Sequence, residues 1–442
     1  MRCESGQFTR VARNRGVRRA IVALARKMLS LAFLQLGALR VSLYADYQKF
    51  KENADSAFVT SSGRLQCTDF LRGCAALGVV LCHVALSSGS IPNAPLWFRM
   101  IYSTLLQGLW GVPLFFVISG FCIHLRWAKL WARTKTDQVD FLDFWKRRIH
   151  RLYPPYFIVL CLSMLLVYGA YRLGLDIPLV TKYPHPRVHW MLYDFALHTL
   201  MLHGLSPTFD TAGGNMVLWS LAREEYFYVM YFLLIFWRRL WGLQVSIAIV
   251  LVLGAVTNLS FATSAQWAAF VARSAIVLWF QWTLGMVAVE AHYGIVKLPG
   301  WCSSGYVAIL LAAAAVLSRY YFLVMAPFVG GMAFFTLLNF CVKLEQAGRW
   351  PTHAVVAWLT RVGVFSYSLY LVHNPIRGIL KQLLRPYSNT TNPILFWVVG
   401  AILGLGGYWG GKLFFLVVER RFLNSSREQA RSRERKQMTA AA

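Results

Sequence analysis

The sequence predicts an all-α protein: a polytopic integral membrane bundle of about ten transmembrane helices, with both termini cytoplasmic. Three observations predict it. Of 442 residues, 57% are hydrophobic and 14% charged, whereas soluble domains run about 45–50% apolar and about 25% charged. Apolar runs recur along the chain, many approaching the about 20 residues that cross a hydrocarbon core. Lys and Arg number 45 against 18 Asp and Glu, and they fall mostly between those runs, as in cytoplasmic loops. The composition excludes a disordered chain, a disulfide miniprotein and an ordinary soluble enzyme. The excess of 27 positive charges reads as membrane topology, so no nucleic-acid partner is expected.

The expected spans are 70–89, 105–125, 153–172, 217–237, 243–259, 266–290, 304–318, 320–341, 362–380 and 394–418. With a cytoplasmic N-terminus, these ten spans put every strongly basic segment inside: 126–151, Arg238–Arg239, Lys343 to Arg361, and the tail from Arg420. The charge-poorer stretch 173–216 then falls outside, with His189 to Gly204 as a helix on or dipping into the outer surface. No internal repeat is visible, which argues against an inverted-repeat transporter. Residues 1–64 form a basic extension. An interfacial amphipathic helix, a transit segment and a start upstream of the true one all fit it, and a cytoplasmic extension without catalytic residues is the favoured reading. Residues 65–423 form the membrane domain and 424–442 a basic polar tail. The eight cysteines form no Cys-x-x-Cys pair and mostly lie in apolar runs, so they read as small hydrophobes rather than metal ligands. No metal is expected.

The first span opens Asp69-Phe70-Leu71-Arg72 and continues to His83. Eleven residues at about 100° each make about three turns, so Arg72 and His83 share one helix face, roughly 16 Å apart along the axis. Asp69 joins that face from one turn before Arg72. Ionisable groups inside a span are costly and usually face a cavity. His83 alone reads more readily as a neutral core histidine bonded to a neighbouring helix; with Arg and Asp on its own face, it reads as functional. The fourth span opens Trp219-Ser220-Leu221-Ala222-Arg223-Glu224-Glu225-Tyr226-Phe227-Tyr228. Ser220, Glu224 and Tyr228 repeat every four residues as a polar stripe, either functional or a structural ion-pair system. Before the third span, Arg148 and Arg151 stand three apart and precede Pro154-Pro155. Arginine suits bidentate phosphate contact, although such a run also serves as a topogenic flank, and the prolines predict a break at the membrane face. In the ninth span Ser366, Tyr370 and His373 fall about one turn apart ahead of Pro375, which predicts a kink. Ordinary interhelical hydrogen bonding is the competing reading there.

These motifs, in this order, resemble the membrane acyltransferase-3 family, which includes bacterial O-acetylases of surface polysaccharides and related sugars. The resemblance covers about residues 65–423. It is carried by Asp69 with Arg72 and His83, by Phe115-Phe116-Val117-Ile118-Ser119-Gly120-Phe121, and by Arg148 and Arg151 with Pro154 and Tyr156. Trp219-Ser220-Leu221 with Glu224 and Phe227-Tyr228 follows, then Ser366 to Leu371 with His373, and Glu419 with Phe422 closes it. The resemblance implies a multi-pass enzyme of the cell (inner) membrane that moves an acyl group, usually acetyl from acetyl-CoA, onto a sugar hydroxyl. It implies an essential His83 and links Arg148 and Arg151 to the acyl donor. The chain departs from larger members by its long N-terminal extension and by carrying no hydrolase-type domain after Phe422, which points to the stand-alone subclass.

An alcohol needs a base as it attacks a thioester, and imidazole titrates near neutrality. His83 is therefore the expected general base. Glu224 could orient that imidazole, position the acceptor or pair with arginine. Arg148, Arg151 and Arg72 are the expected donor-binding residues, with Asp69, Ser220, Tyr228, Tyr370 and His373 in support. No cofactor is expected to stay bound; acyl-CoA is the donor substrate. Expected partners are membrane lipid and a saccharide or glycolipid acceptor. The rival reading is a secondary transporter, because intramembrane His, Glu and Arg also mark transport paths.

Overall fold

The computed structural model describes residues 65–87, 91, 93–135, 139–173, 188–260, 270–388 and 392–423. The extension 1–64 and the tail 424–442 lie outside the described residues. Among the described residues there is no strand. In chain order the helices are α1 (Gln66–Ser87), α2 (Leu96–Leu106), α3 (Gly111–Thr134), α4 (Phe141–Arg172), α5 (Val188–Thr199), α6 (Trp219–Ser260), α7 (Ala275–His292), α8 (Gly305–Tyr321), α9 (Ala326–Gln346), α10 (Ala354–Val364), α11 (Ser366–Leu383) and α12 (Pro393–Phe414). Their described residues in Leu65–Tyr171 and Asp176–Ala442 belong to one compact unit.

Seven helical stretches are long and apolar enough to cross a membrane, and eight when the bent pair α10–α11 counts as one span. This is a polytopic membrane bundle. Each of the ten expected spans falls mostly on helix, although Arg273–Ser274, Ser304, Phe322–Met325 and Phe365 interrupt or border the helices within them, and two features account for the lower count. α6 runs through both 217–237 and 243–259, with a break at Gly242 (φ 80°, ψ 171°), backbone that only glycine adopts without strain. The segment 304–318 lies in α8, a shorter apolar helix of 17 residues. Between α4 and α6, α5 has 12 residues, about 18 Å of helix, too short to cross.

Two expected breaks are corrected. α4 continues through Pro154 and Pro155. α11 likewise continues through Pro375, and the 77° bend falls between α10 and α11 instead, at Phe365. Proline 375 has no N–H for the Leu371 carbonyl. Asn215 fills that vacancy, its Nδ2 donating to Leu371 O at 2.8 Å, and Asn374 Nδ2 holds Asn215 Oδ1 at 3.2 Å. A side chain from another segment thus lets the helix pass its proline, as in other membrane helices.

The most enclosed span is Phe270–His292, with 72% of its apolar window buried, against 17% for Met216–Ser260 on the lipid-facing side. Lipid and side chains are equally apolar, so close packing holds membrane helices together. Glycine makes it possible here. A Cβ at Gly285 of α7 would lie 1.9 Å from Val117 O of α3, and one at Gly120 would lie 1.9 Å from Trp282 O. Gly73 of α1 meets Leu359 O of α10, and Gly363 of α10 meets Asp69 O of α1, equally closely. The start of α1 is fixed from a distant part of the chain: Glu345, near the end of α9, accepts the N–H groups of Gln66 at 2.7 Å and Cys67 at 2.8 Å.

Candidate active site

α1 and α11 bring the two histidines together. His83 Nδ1 lies 2.9 Å from His373 Nε2, with the rings 5.1 Å apart and 23° from parallel. His373 is buried, and its Nδ1 faces the carbonyls of Leu369 at 3.0 Å and Tyr370 at 2.8 Å. Carbonyl oxygens only accept, so with neutral rings Nδ1 of His373 carries the proton and Nε2 is an acceptor. His83 Nδ1–H then donates to it. The hydrogen-bond pattern assigns this tautomer pair, and it leaves the lone pair of His83 on Nε2.

The start of α6 borders this pair. Tyr370 OH and Ser220 Oγ are 2.7 Å apart, so one donates to the other, and both lie 3.2 Å from Val217 O, which accepts from the hydroxyl whose proton is left. The Tyr370 ring stands 5.9 Å from His373 and meets Phe115 edge-on at 5.8 Å. Four of the expected residues, His83, His373, Tyr370 and Ser220, are therefore linked in one group, buried except for the partly exposed His83.

The remaining expected residues form a second group toward the N-terminal end of α1. Glu224 Oε1 accepts from Ser119 Oγ at 2.7 Å and Tyr228 OH at 2.6 Å. The His83 ring is thus partnered by His373, while Glu224 is partnered by Ser119 and Tyr228. Arg72 lies within electrostatic reach of Glu224, pairs with Asp69 at 3.4 Å and donates to Cys122 Sγ at 3.2 Å. The Arg148 guanidinium sits 5.7 Å over the Tyr228 ring and 5.8 Å over Phe144, the cation–π range. Arg151 acts on Glu419, whose Oε2 accepts Ser368 N at 3.1 Å and Ser368 Oγ at 2.5 Å. Phe115–Phe121, Glu419 and the 366–371 stretch, separate in sequence, are thereby one neighbourhood.

Arg223, next to Glu224, takes a structural part. It is fully buried and donates to Asp210 at 2.5 Å, Gly204 O at 2.8 Å and Arg273 O at 2.6 Å. This pins the 200–215 loop to α6. Sequence reasoning passed over Arg377 and Lys381. Arg377 donates to His83 O at 3.3 Å, to Asn374 Oδ1 at 2.5 Å and to Ser87 Oγ. Lys381 donates to Ser87 O. Their signal was available: both continue the four-residue repeat that starts at His373. It also passed over a buried network in which Glu290 joins His124 at 3.0 Å and Arg238 at 2.8 Å.

A family profile described as "Acyltransferase domain", of the acyltransferase-3 type, matches residues 65–410. The acyltransferase MdmB of Streptomyces mycarofaciens is 27% identical over 337 residues, 70% of this chain and 78% of the relative. The peptidoglycan O-acetyltransferase OatA of Listeria monocytogenes is 23% identical over 354 residues, 72% of this chain and 50% of its own. The O-acetyltransferase OatA of Staphylococcus aureus (strain NCTC 8325 / PS 47) is 28% identical over 174 residues, 38% of this chain and 24% of the relative. The chain thus spans most of the first and half or less of the other two. No solved structure matches. The ordered motifs, the helical bundle that gathers them and the profile match over most of the chain agree: this protein belongs to the acyltransferase-3 family of multi-pass membrane O-acyltransferases.

Proposed function

We propose that this protein transfers an acetyl group from cytoplasmic acetyl-CoA to a hydroxyl of an extracytoplasmic or lipid-linked saccharide at the inner cell membrane, with His83 as general base. The single observation that carries this reading is the 2.9 Å contact of His83 Nδ1 with His373 Nε2, with two carbonyls on the other nitrogen of His373. His373 fixes the His83 proton on Nδ1, so the basic Nε2 is set before an acceptor arrives. The acceptor hydroxyl gives its proton to Nε2 as its oxygen attacks the thioester carbonyl. The C–S bond then breaks, and the departing CoA thiolate recovers that proton from His83. Such base catalysis contributes about 10²–10⁴-fold.

Arg148 and Arg151 hold the CoA phosphates on this reading, since guanidinium binds phosphate bidentately. Arg72 adds positive charge along the donor path. Glu224 keeps Ser119 and Tyr228 in place below that path and opposes the arginine charge. Tyr370 and Ser220 line the side where the acceptor hydroxyl enters.

Two measurements test the proposal together. Mass spectrometry of surface glycans from cells with and without the gene should show an acetyl ester lost with the gene. Restoring the gene as His83→Ala should leave the protein inserted and the ester absent. A full ester signal with His83→Ala removes the base assignment. Substrate flux across vesicles with no consumption of acetyl-CoA would return the transporter reading.

A further inference from the structure

His373, Arg377 and Lys381 stand at four-residue intervals on α11, so they share one face. Arg377 lies about 6 Å and Lys381 about 12 Å beyond His373 along the helix axis. That face meets the C-terminal turns of α1: His83 Nδ1–H donates to His373, and His83 O and Ser87 accept from Arg377 and Lys381. A row of groups therefore leads from the His83–His373 pair toward the end of both helices.

Among the described residues the two cations lack a counter-charge. Both are half-buried, and among the described residues neither forms an ion pair; their partners are carbonyls, a hydroxyl and an amide. The chain has no Asp or Glu at all in 70–136 or 346–418, the stretches that supply most of α1 and all of α2, α3, α10, α11 and α12. Arg377 Nε is buried without a hydrogen-bond partner. Capping the last carbonyls of α1 accounts for one cation, since helix C-termini favour positive charge. It does not account for two at i and i+4, where like charges repel, at a depth where desolvated charge is expensive. In the orientation expected from the loop charges, both also sit at the outer end of their span, against the positive-inside bias.

We propose that Arg377 and Lys381 bind an anionic group, a phosphate or a carboxylate, carried by the acceptor. Seated there, the anion holds the acceptor with its hydroxyl roughly 6–12 Å away along the row, at His83. The site deepens the acyl-transfer reading and rests on it: the acceptor class becomes an acidic or phosphate-linked saccharide. Charge-assisted hydrogen bonds from both residues would supply affinity and orientation.

The test uses the full chain in nanodiscs of phosphatidylcholine alone, with inorganic pyrophosphate and glucuronate as separate probes. One of the two should raise the melting temperature. The midpoint concentration should rise about tenfold or more in Arg377→Gln and in Lys381→Gln, the loss expected for a charge-assisted contact. Arg377→Lys should keep the response. His83→Ala should keep it too, because binding needs no catalytic base; loss of transfer and loss of the anion site are thereby read separately. A phosphatidylglycerol nanodisc without added anion distinguishes the lipid source. Arg377-dependent stabilisation by that lipid alone would assign the pair to a headgroup and overturn the proposal. Absence of any response, or equal responses in wild type and both Gln variants, would overturn it as well.

Discussion

At His83, His373 occupies the position that a carboxylate takes beside the imidazole of a Ser-His-Asp triad: its Nε2 accepts from Nδ1–H at 2.9 Å. Backbone carbonyls of Leu369 and Tyr370 hold the far side of His373, so its proton cannot move to Nε2 without losing those bonds. The arrangement fixes a tautomer without adding a negative charge to the membrane interior, where an unpaired carboxylate would be costly.

His373 should therefore act as a positioning residue. His373→Ala is expected to lower kcat by about 10²-fold with the KM for acetyl-CoA unchanged. His373→Gln keeps an acceptor oxygen for His83 Nδ1–H and should restore part of the rate. Steady-state kinetics on proteoliposomes separate the two constants. A raised KM with full kcat would show that His373 binds donor instead.

Arg148 and Arg151 should appear in the opposite parameter. The double variant Arg148→Ala, Arg151→Ala is expected to raise the KM for acetyl-CoA about 10-fold or more, since each lost charge-assisted contact is worth about tenfold. Arg148→Lys should recover only part, because an ammonium lacks the bidentate fork. An unchanged apparent affinity for acetyl-CoA refutes the assignment.

Glu345 is expected to matter for stability rather than for chemistry. Its carboxylate holds two N–H groups at the start of α1. Glu345→Ala should cost about 1–2 kcal/mol, read as a lower melting temperature in detergent with kcat little changed once folded. Glu345→Gln keeps one acceptor oxygen and should fall between.

The 200–215 loop should respond to acid. His203 lies between α5 and α6, stacked on His198 at 3.7 Å, and His198 pairs with Asp194 at 2.9 Å. Burial first, then the neighbouring His198 and Arg223, hold the His203 imidazole well below its ordinary pKa near 6.5. Its folded pKa is depressed, so the neutral ring favours the fold. That contribution is complete above pH about 6.5 and is lost as the pH falls below it. Melting temperature should drop from pH 7 toward pH 5, and His203→Gln should flatten the drop. A profile with the same slope in both proteins would assign the acid sensitivity elsewhere.

Much of the fold and site was legible in the sequence because it was written in local spacing. The eleven residues from Arg72 to His83 and the repeat of Ser220, Glu224 and Tyr228 needed only helix geometry to be placed. The pairings that decide chemistry are long-range. Nothing near His83 marks His373 as its partner, 290 positions away, and Glu345 reaches Gln66 across 279. Pro375 looked like a kink because Asn215, which takes up the released Leu371 carbonyl, comes from another segment. Arg377 and Lys381 looked like ordinary flanking charge, since a sequence shows where a cation lies along the chain but not that no opposite charge stands beside it among the described residues.

The glycine-to-carbonyl contacts have a mechanical consequence. Where Gly120 and Gly285 bring α3 and α7 together, and Gly73 and Gly363 bring α1 and α10 together, one backbone rests directly on another. Sliding either pair by a fraction of a turn would drive a neighbouring side chain into a peptide plane. These four helices therefore keep a fixed register through a catalytic cycle. Any opening that admits an acceptor is expected at the less tightly packed periphery, where Gly242 breaks α6.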